Sequence, residues 1–164
     1  MTIETQAKKI LSASEYINIA TCSKDLIPWN TPVTSVHDQK LNFFWSSWKK
    51  AQHSLNIDAN PNIFITLYDS TRKRGDNHRK CLYIQAQATQ VSNITDINLA
   101  CELLYSQVSS DRNPEMFLED SERKIYKAIP SKIWLNDVSE RELTKETTKM
   151  RVNVSLQNIQ NLIA

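Results

Sequence analysis

The run "FFWSSWKKAQHSLNIDANP", residues 43–61, gathers two hydroxyls, two lysines and a histidine into a short stretch. Ser46, Ser47, Lys49, Lys50 and His53 are residue types that hold an anion: hydroxyls donate hydrogen bonds, and ammonium and imidazolium groups neutralise charge. Trp48, Ala51, Leu55 and Ala59 recur at the spacing of one helix face, and "NPN" (60–62) ends the pattern. At about 100° per residue, Lys49, His53 and Asn56 share the adjacent side. Ser46 and Ser47 then stand just before the helix, where unpaired N–H groups and the helix dipole favour anions. Two readings stand side by side, a capped and solvated helix face or a phosphate-binding corner, and periodicity does not separate them.

Composition narrows the chemistry. The chain contains one glycine, Gly75. A P-loop and a dinucleotide-binding fingerprint each need several glycines so that the backbone can approach phosphates, which excludes both in their usual form. Backbone positions with φ > 0 are therefore expected at Asn and Asp. A net charge of +2 gives no strong overall field for a polyanion. The basic loop at 70–80 has no interleaved aromatics for base stacking; it reads as a solvated loop or as a guide for an anionic substrate, with no nucleic acid expected. His37 and His78 read as surface loop residues, and three scattered histidines with three scattered cysteines give no metal-ligand spacing. The N-terminal segment carries no signal-peptide-like apolar run and no segment is long enough to span a membrane, so a cytoplasmic protein with reduced Cys22, Cys81 and Cys101 is expected.

The positioning elements follow from period and punctuation. A short helix is predicted over Thr5–Leu11. Strands are predicted over 16–23, with Ile17, Ile19 and Thr21 inward, and over 27–36, where Pro28 and Pro32 demand an edge or a bulge. Further strands are predicted over 41–46, 63–69 and 81–91, the last with Leu82, Ile84, Ala86 and Ala88 on one face. Helices are predicted over 95–108 and 120–129, the second capped by Ser121 before Glu122. Strands over 131–137 and 149–156 close the chain, and 139–149 reads as an exposed excursion. No linker divides the 164 residues. The expected fold is mainly β within the α+β class: one domain, a six-stranded antiparallel split barrel with peripheral helices.

Ordered pieces of the chain resemble the pyridoxamine 5'-phosphate oxidase-like family of FMN-binding split barrels. These are Ala20-Thr21, Pro28, Pro32-Val33, Trp45-Ser46-Ser47, Ala51-Gln52-His53, Asn56-Ile57, Asn60-Pro61, Tyr68-Asp69, "CLYIQAQATQV" and "IYKAIPSKIWLND". The similarity covers about residues 10–155. It implies a homodimer with FMN at the subunit interface. By resemblance, Ser46, Ser47, Gln52 and His53 would hold the phosphate and ribityl oxygens. The backbone of Asn30, Thr31, Pro32 and Val33 would flank the isoalloxazine ring, and Trp45 would wall its pocket. The resemblance implies a flavin-dependent oxidoreductase acting on a small molecule. The alternative is a non-catalytic module that binds flavin, deazaflavin or haem. It assigns no catalytic residue.

Three departures matter. The family's Arg-Leu-His-type substrate motif is Met150-Arg151-Val152-Asn153 here, without the histidine, which argues against pyridoxamine phosphate as substrate. Ala86 replaces the usual glycine and would narrow the space near the ring. His53 replaces the commoner lysine, which would make phosphate affinity pH-sensitive.

Overall fold

A computed structural model describes residues 1–68, 80–106, 112–118, 120–136 and 151–164. Helix α1 (Ile3–Ala13) precedes strands β1 (Tyr16–Cys22), β2 (Pro28–Thr34), β3 (Val36–His37) and β4 (Phe43–Trp48). Helix α2 (Gln52–Ala59) leads to β5 (Asn62–Tyr68) and β6 (Cys81–Gln90). Helix α3 (Ile94–Tyr105) and a short 3₁₀ turn (Pro114–Phe117) lead to β7 (Arg123–Asn136), β8 (Arg151–Val154) and α4 (Leu156–Ile163).

The strands form one antiparallel sheet in the order β2-β1-β5-β6-β7-β4-β3, with β8 added on β7. Strands β2 and β3 lie at opposite ends of that order yet follow each other in the chain. Ser35 joins them: its N–H donates to the Glu15 carbonyl and its hydroxyl to the Phe44 carbonyl at 3.0 Å. The sheet is thereby drawn round into a split barrel. Its inner side buries Ile17, Ile19, Phe43, Trp45, Ile65, Leu82, Ile84 and Tyr126, with α1 and α4 packed against the same core through Ala7, Leu11 and Ile159. The expected mainly-β split barrel is present, with eight strands among the described residues rather than six.

A second, smaller core lies outside the barrel wall. Phe44 on β4 and Ile125 on β7 face away from the first core and pack under Ile97, Ala100 and Cys101 of α3 and under Phe117. Both strands are therefore apolar on both faces. This corrects the helix expected at 120–129. Lys124, Ile125, Tyr126 and Ala128 are all buried. A strand covered on both sides loses the alternation that distinguishes it from a helix. Ser121 is no helix cap: its hydroxyl donates to the Met116 carbonyl. Pro130 sits at a register shift of β7 against β6, where a missing N–H costs least. The adjoining Ser131 donates to the Gln85 carbonyl at 3.2 Å.

The predicted C-terminal strand is shorter than expected and yields to α4. Ser155 caps that helix by accepting from the Asn158 N–H. Among the described residues the left-handed positions fall not to Asn or Asp, as expected, but to Leu26 (φ 61°) and Leu41 (φ 62°). Both close the same kind of loop. Leu26 N–H bonds the Ser23 carbonyl and Ser23 N–H the Ile27 carbonyl; Leu41 and Asp38 repeat the pattern with Asn42. A type I turn followed by a left-handed residue ordinarily uses glycine there. Leu41 offsets the steric cost by complete burial, whereas Leu26 is exposed. The predicted loop residues 70–79 and the excursion at 139–149 fall outside the described residues, as does His78.

Among the described residues, no helix is long and apolar enough to cross a membrane.

Candidate functional site

The serines of the opening motif are not at a helix N-terminus. Strand β4 continues to Trp48, which pairs with Arg123 of β7, so Ser46 and Ser47 are strand residues. Helix α2 starts only at Gln52, with Ala51 as an N-cap that makes no side-chain bond. The expected apolar stripe does not form: Trp48 and Leu55 are exposed, and α2 buries His53, Ser54, Asn56 and Ile57. Its inward face is polar because the barrel offers polar partners. Asn56 Nδ2 donates to Thr21 Oγ1 at 2.9 Å. His53 Nε2 and Ser47 Oγ share a bond of 2.7 Å. Gln52 Nε2 donates to Asn56 Oδ1 at 2.8 Å and fixes that amide.

Lys49 and Lys50 leave the predicted cluster. Lys49 Nζ lies 2.9 Å from Glu122 Oε1, and Lys50 Nζ lies 3.8 Å from Oε2. The Lys49 ammonium holds the Glu122 carboxyl below its ordinary range. Both pairs lie on the surface and together tie the β4–α2 turn to the start of β7.

Strand alternation splits the two serines. Ser47 turns toward α2 and His53. Ser46 turns toward α3, where the Tyr105 hydroxyl donates to its Oγ at 2.8 Å. Arg112 Nη1 donates in turn to the Tyr105 oxygen at 3.2 Å, with its guanidinium carbon 5.3 Å from the ring centre. Between these groups and the edge of β2 lies a cleft of about 680 Å³. Its walls include Thr31, Pro32 and Val33 of β2, Ser46, Ser47, His53, Leu104, Tyr105, Arg112 and Arg123. The volume lies within the range of about 300–1,000 Å³ usual for small-molecule sites. The Arg123 Nε is buried and has no hydrogen-bond partner among the described residues.

The cleft therefore unites six of the nine sequence-predicted residues: Thr31, Pro32, Val33, Ser46, Ser47 and His53. The other three do not line it. Asn30 is exposed on β2. Gln52 supports Asn56 from behind. Trp45 is fully buried in the barrel and stacks on Tyr126 with ring centres 5.7 Å apart. Ala86 is likewise a core residue, and Arg151 lies 4.0 Å over the Tyr83 ring. Tyr105, Arg112 and Arg123 were not singled out in the sequence. They fall between residues 105 and 123, and the fold brings this stretch against Ser46, 59 residues before Tyr105.

The donor set suits a phosphate ester. Hydroxyls and guanidinium groups surround the cleft, while the exposed edge of β2 offers backbone N–H and C=O groups across it. Burial holds the His53 imidazole below its ordinary pKa, so it is neutral near pH 7 before an anion enters. His37 is half-buried in β3 and bonds the Asp38 carbonyl through Nδ1 at 3.1 Å, away from these walls. Among the described residues, no cluster of His, Cys, Asp or Glu could hold a metal ion.

No protein-family model and no curated protein matches the chain. Solved structures do. A heme binding protein from Mycobacterium smegmatis superposes with a TM-score of 0.74 at 11% identity, over 98% of this chain and 61% of that one. HutZ, a heme storage protein from Vibrio cholerae, gives 0.60 at 23% identity, over 80% and 92%. A candidate pyridoxamine 5'-phosphate oxidase from Listeria innocua gives 0.61 at 15% identity, over 80% and 96%. The chain thus spans about three fifths of the mycobacterial protein and nearly all of the other two. These likenesses show the fold: the split barrel of pyridoxamine 5'-phosphate oxidase-like proteins.

Proposed function

We propose that this chain binds FMN in the cleft and serves as a flavin-dependent oxidoreductase for a small molecule. The observation that carries the reading is a cleft of cofactor size lined together by the buried Ser47–His53 pair and by Arg123. Ser46, Ser47, His53 and Arg123 would receive the phosphate. The backbone edge of β2 at Thr31–Val33 would read the polar rim of the ring system, and Leu104 would cover part of its apolar surface. Bound FMN supplies the hydride and electron chemistry. The chain's own groups bind, orient and exclude water. His53 takes up a proton when a dianionic phosphate arrives beside its Nε2, because an opposite charge at hydrogen-bond distance favours the imidazolium.

A second copy of the chain completes this reading. Phe64, Tyr83 and Trp134 form a half-buried aromatic row on the outer sheet face. Pro32 of the cleft wall is reached from the same face through its register with Asn18 and then Thr66. A homodimer through this face would set the partner beside the cleft. A cytoplasmic setting accords with three free cysteines.

Haem is the second reading, favoured by the names of two structural neighbours. Among the described residues His53 is the one histidine lining the cleft, and its Nε2 is engaged by Ser47. The test is a visible absorption spectrum of purified protein before and after addition of FMN or hemin. Retained flavin bands, bleached by a nicotinamide donor and restored by an acceptor, support the oxidoreductase reading. A retained Soret band with no flavin uptake overturns it. Flavin that is bound but never reduced leaves a binding module.

A further inference from the structure

The cleft does not end at its arginines. A second cavity of about 190 Å³ opens beside it, walled by Trp48, Met116 and Phe117 with Glu122 at its rim. Arg112 and Arg123 line both spaces, so an anion bound to them sits at the junction. The second cavity differs in character from the first. The indole of Trp48 and the side chain of Met116 are half exposed and line one cavity together with the buried Phe117. Arg123 lies over the Trp48 ring with its guanidinium carbon 4.9 Å from the ring centre. An incoming planar ring would meet flat faces, and a carboxylate at the rim can accept from an exocyclic amine.

A phosphate monoester would fill the cleft and leave these apolar walls in water. We propose that the bound group carries an aromatic substituent on the far side of its phosphate, and that the Trp48 cavity receives it. The ligand class is then a flavin whose phosphate continues through a pyrophosphate to a nucleoside with a planar base, with flavin adenine dinucleotide as the probe. This inference rests on the flavin reading above and extends it to the group beyond the phosphate. Base stacking on an aromatic side chain strengthens binding by about tenfold or more.

The experiment is equilibrium titration of the full chain with riboflavin, FMN and flavin adenine dinucleotide, followed by flavin fluorescence. The dinucleotide is expected to bind about tenfold more tightly than FMN. Trp48→Ala should remove that advantage, and Trp48→Phe, which keeps an aromatic face under Arg123, should retain most of it. Met116→Trp, at an exposed position that leaves the cores intact, should block the dinucleotide alone. FMN binding as tightly as the dinucleotide overturns the inference and leaves the flavin reading standing, as does a dinucleotide advantage that survives both Trp48→Ala and Met116→Trp. Failure of all three flavins to bind overturns the flavin reading itself and this inference with it.

Discussion

The two walls of the cleft are built in opposite ways. On the β4–α2 wall, polar groups are fixed from behind: Ser47 by His53, and Asn56 by Thr21, each of the four at least nine-tenths buried. On the α3 wall, the fixed part is apolar. Ala100 and Cys101 pack on the outer core, and Tyr105 extends from there to Ser46. A buried polar network is costly to leave half-satisfied, so the first wall has few alternative arrangements. A hydroxyl at the end of a half-buried ring can be lost at smaller cost. The first wall sets where an anion sits. The second trims how tightly it is held.

Arg123, where the walls meet, gives the largest effect. Arg123→Ala should weaken FMN binding by about thirtyfold or more, since hydrogen bonds to charged groups contribute about 1.5–3 kcal/mol; titration by fluorescence measures it. Asn56→Ala strikes the rigid wall from behind. It leaves the Thr21 hydroxyl only its long bond to the Trp29 carbonyl, removes the acceptor of the Gln52 amide, and should cost about 1–3 kcal/mol of stability in urea unfolding, with FMN affinity falling in parallel. An unchanged urea midpoint would remove the claimed rigidity.

His53→Ala comes next, with a loss of about tenfold in FMN affinity. It also has a sign in pH. In the free protein burial lowers the His53 pKa, so its contribution to stability is present above the ordinary imidazole value and is lost as pH falls through the folded one. A bound phosphate reverses the preference. Wild-type binding should therefore take up protons near neutrality and tighten as pH falls from the alkaline side, and His53→Ala should abolish both effects. Calorimetry in buffers of different ionisation heat reads the proton count. The smallest effect is expected from Tyr105→Phe. It removes the neutral bond to Ser46, worth about 0.5–1.5 kcal/mol, and the bond its oxygen accepts from the exposed Arg112, which solvent replaces, with the unfolding midpoint nearly unmoved. If Tyr105→Phe unfolds the protein more than Asn56→Ala does, the two walls have been assigned the wrong way round.

Much of the rigid wall was legible in the sequence because its residues are close in the chain and carry distinctive chemistry. "SSWKKAQHS" yielded Ser46, Ser47 and His53. The alternation of β1 and β6 predicted their buried faces correctly. The helix stripe through Trp48 and Leu55 misled because it assumed an apolar seat for α2, whereas Thr21 and Ser47 make the seat polar. Tyr105, Arg112 and Arg123 could not be joined by any spacing rule. The pairing of β4 with β7 brings Arg123 to the cleft, α3 brings Tyr105 to Ser46, and β7 was hidden by its own burial. Ser121, Glu122 and Pro130 then imitated the start and stop of a helix.

The burial of β4 and β7 on both faces also bears on how the chain reaches this state. Neither core can close until these two strands, remote in the chain, have found each other. Pairing of Trp45 with Tyr126 and of Ser46 with Ile125 completes the inner core and the floor of the outer one together. Closing so long a loop before either core yields its return makes for slow folding. Substitutions at Phe44 and Ile125 are then expected to retard refolding, while those at Ile159, on the C-terminal helix, chiefly hasten unfolding.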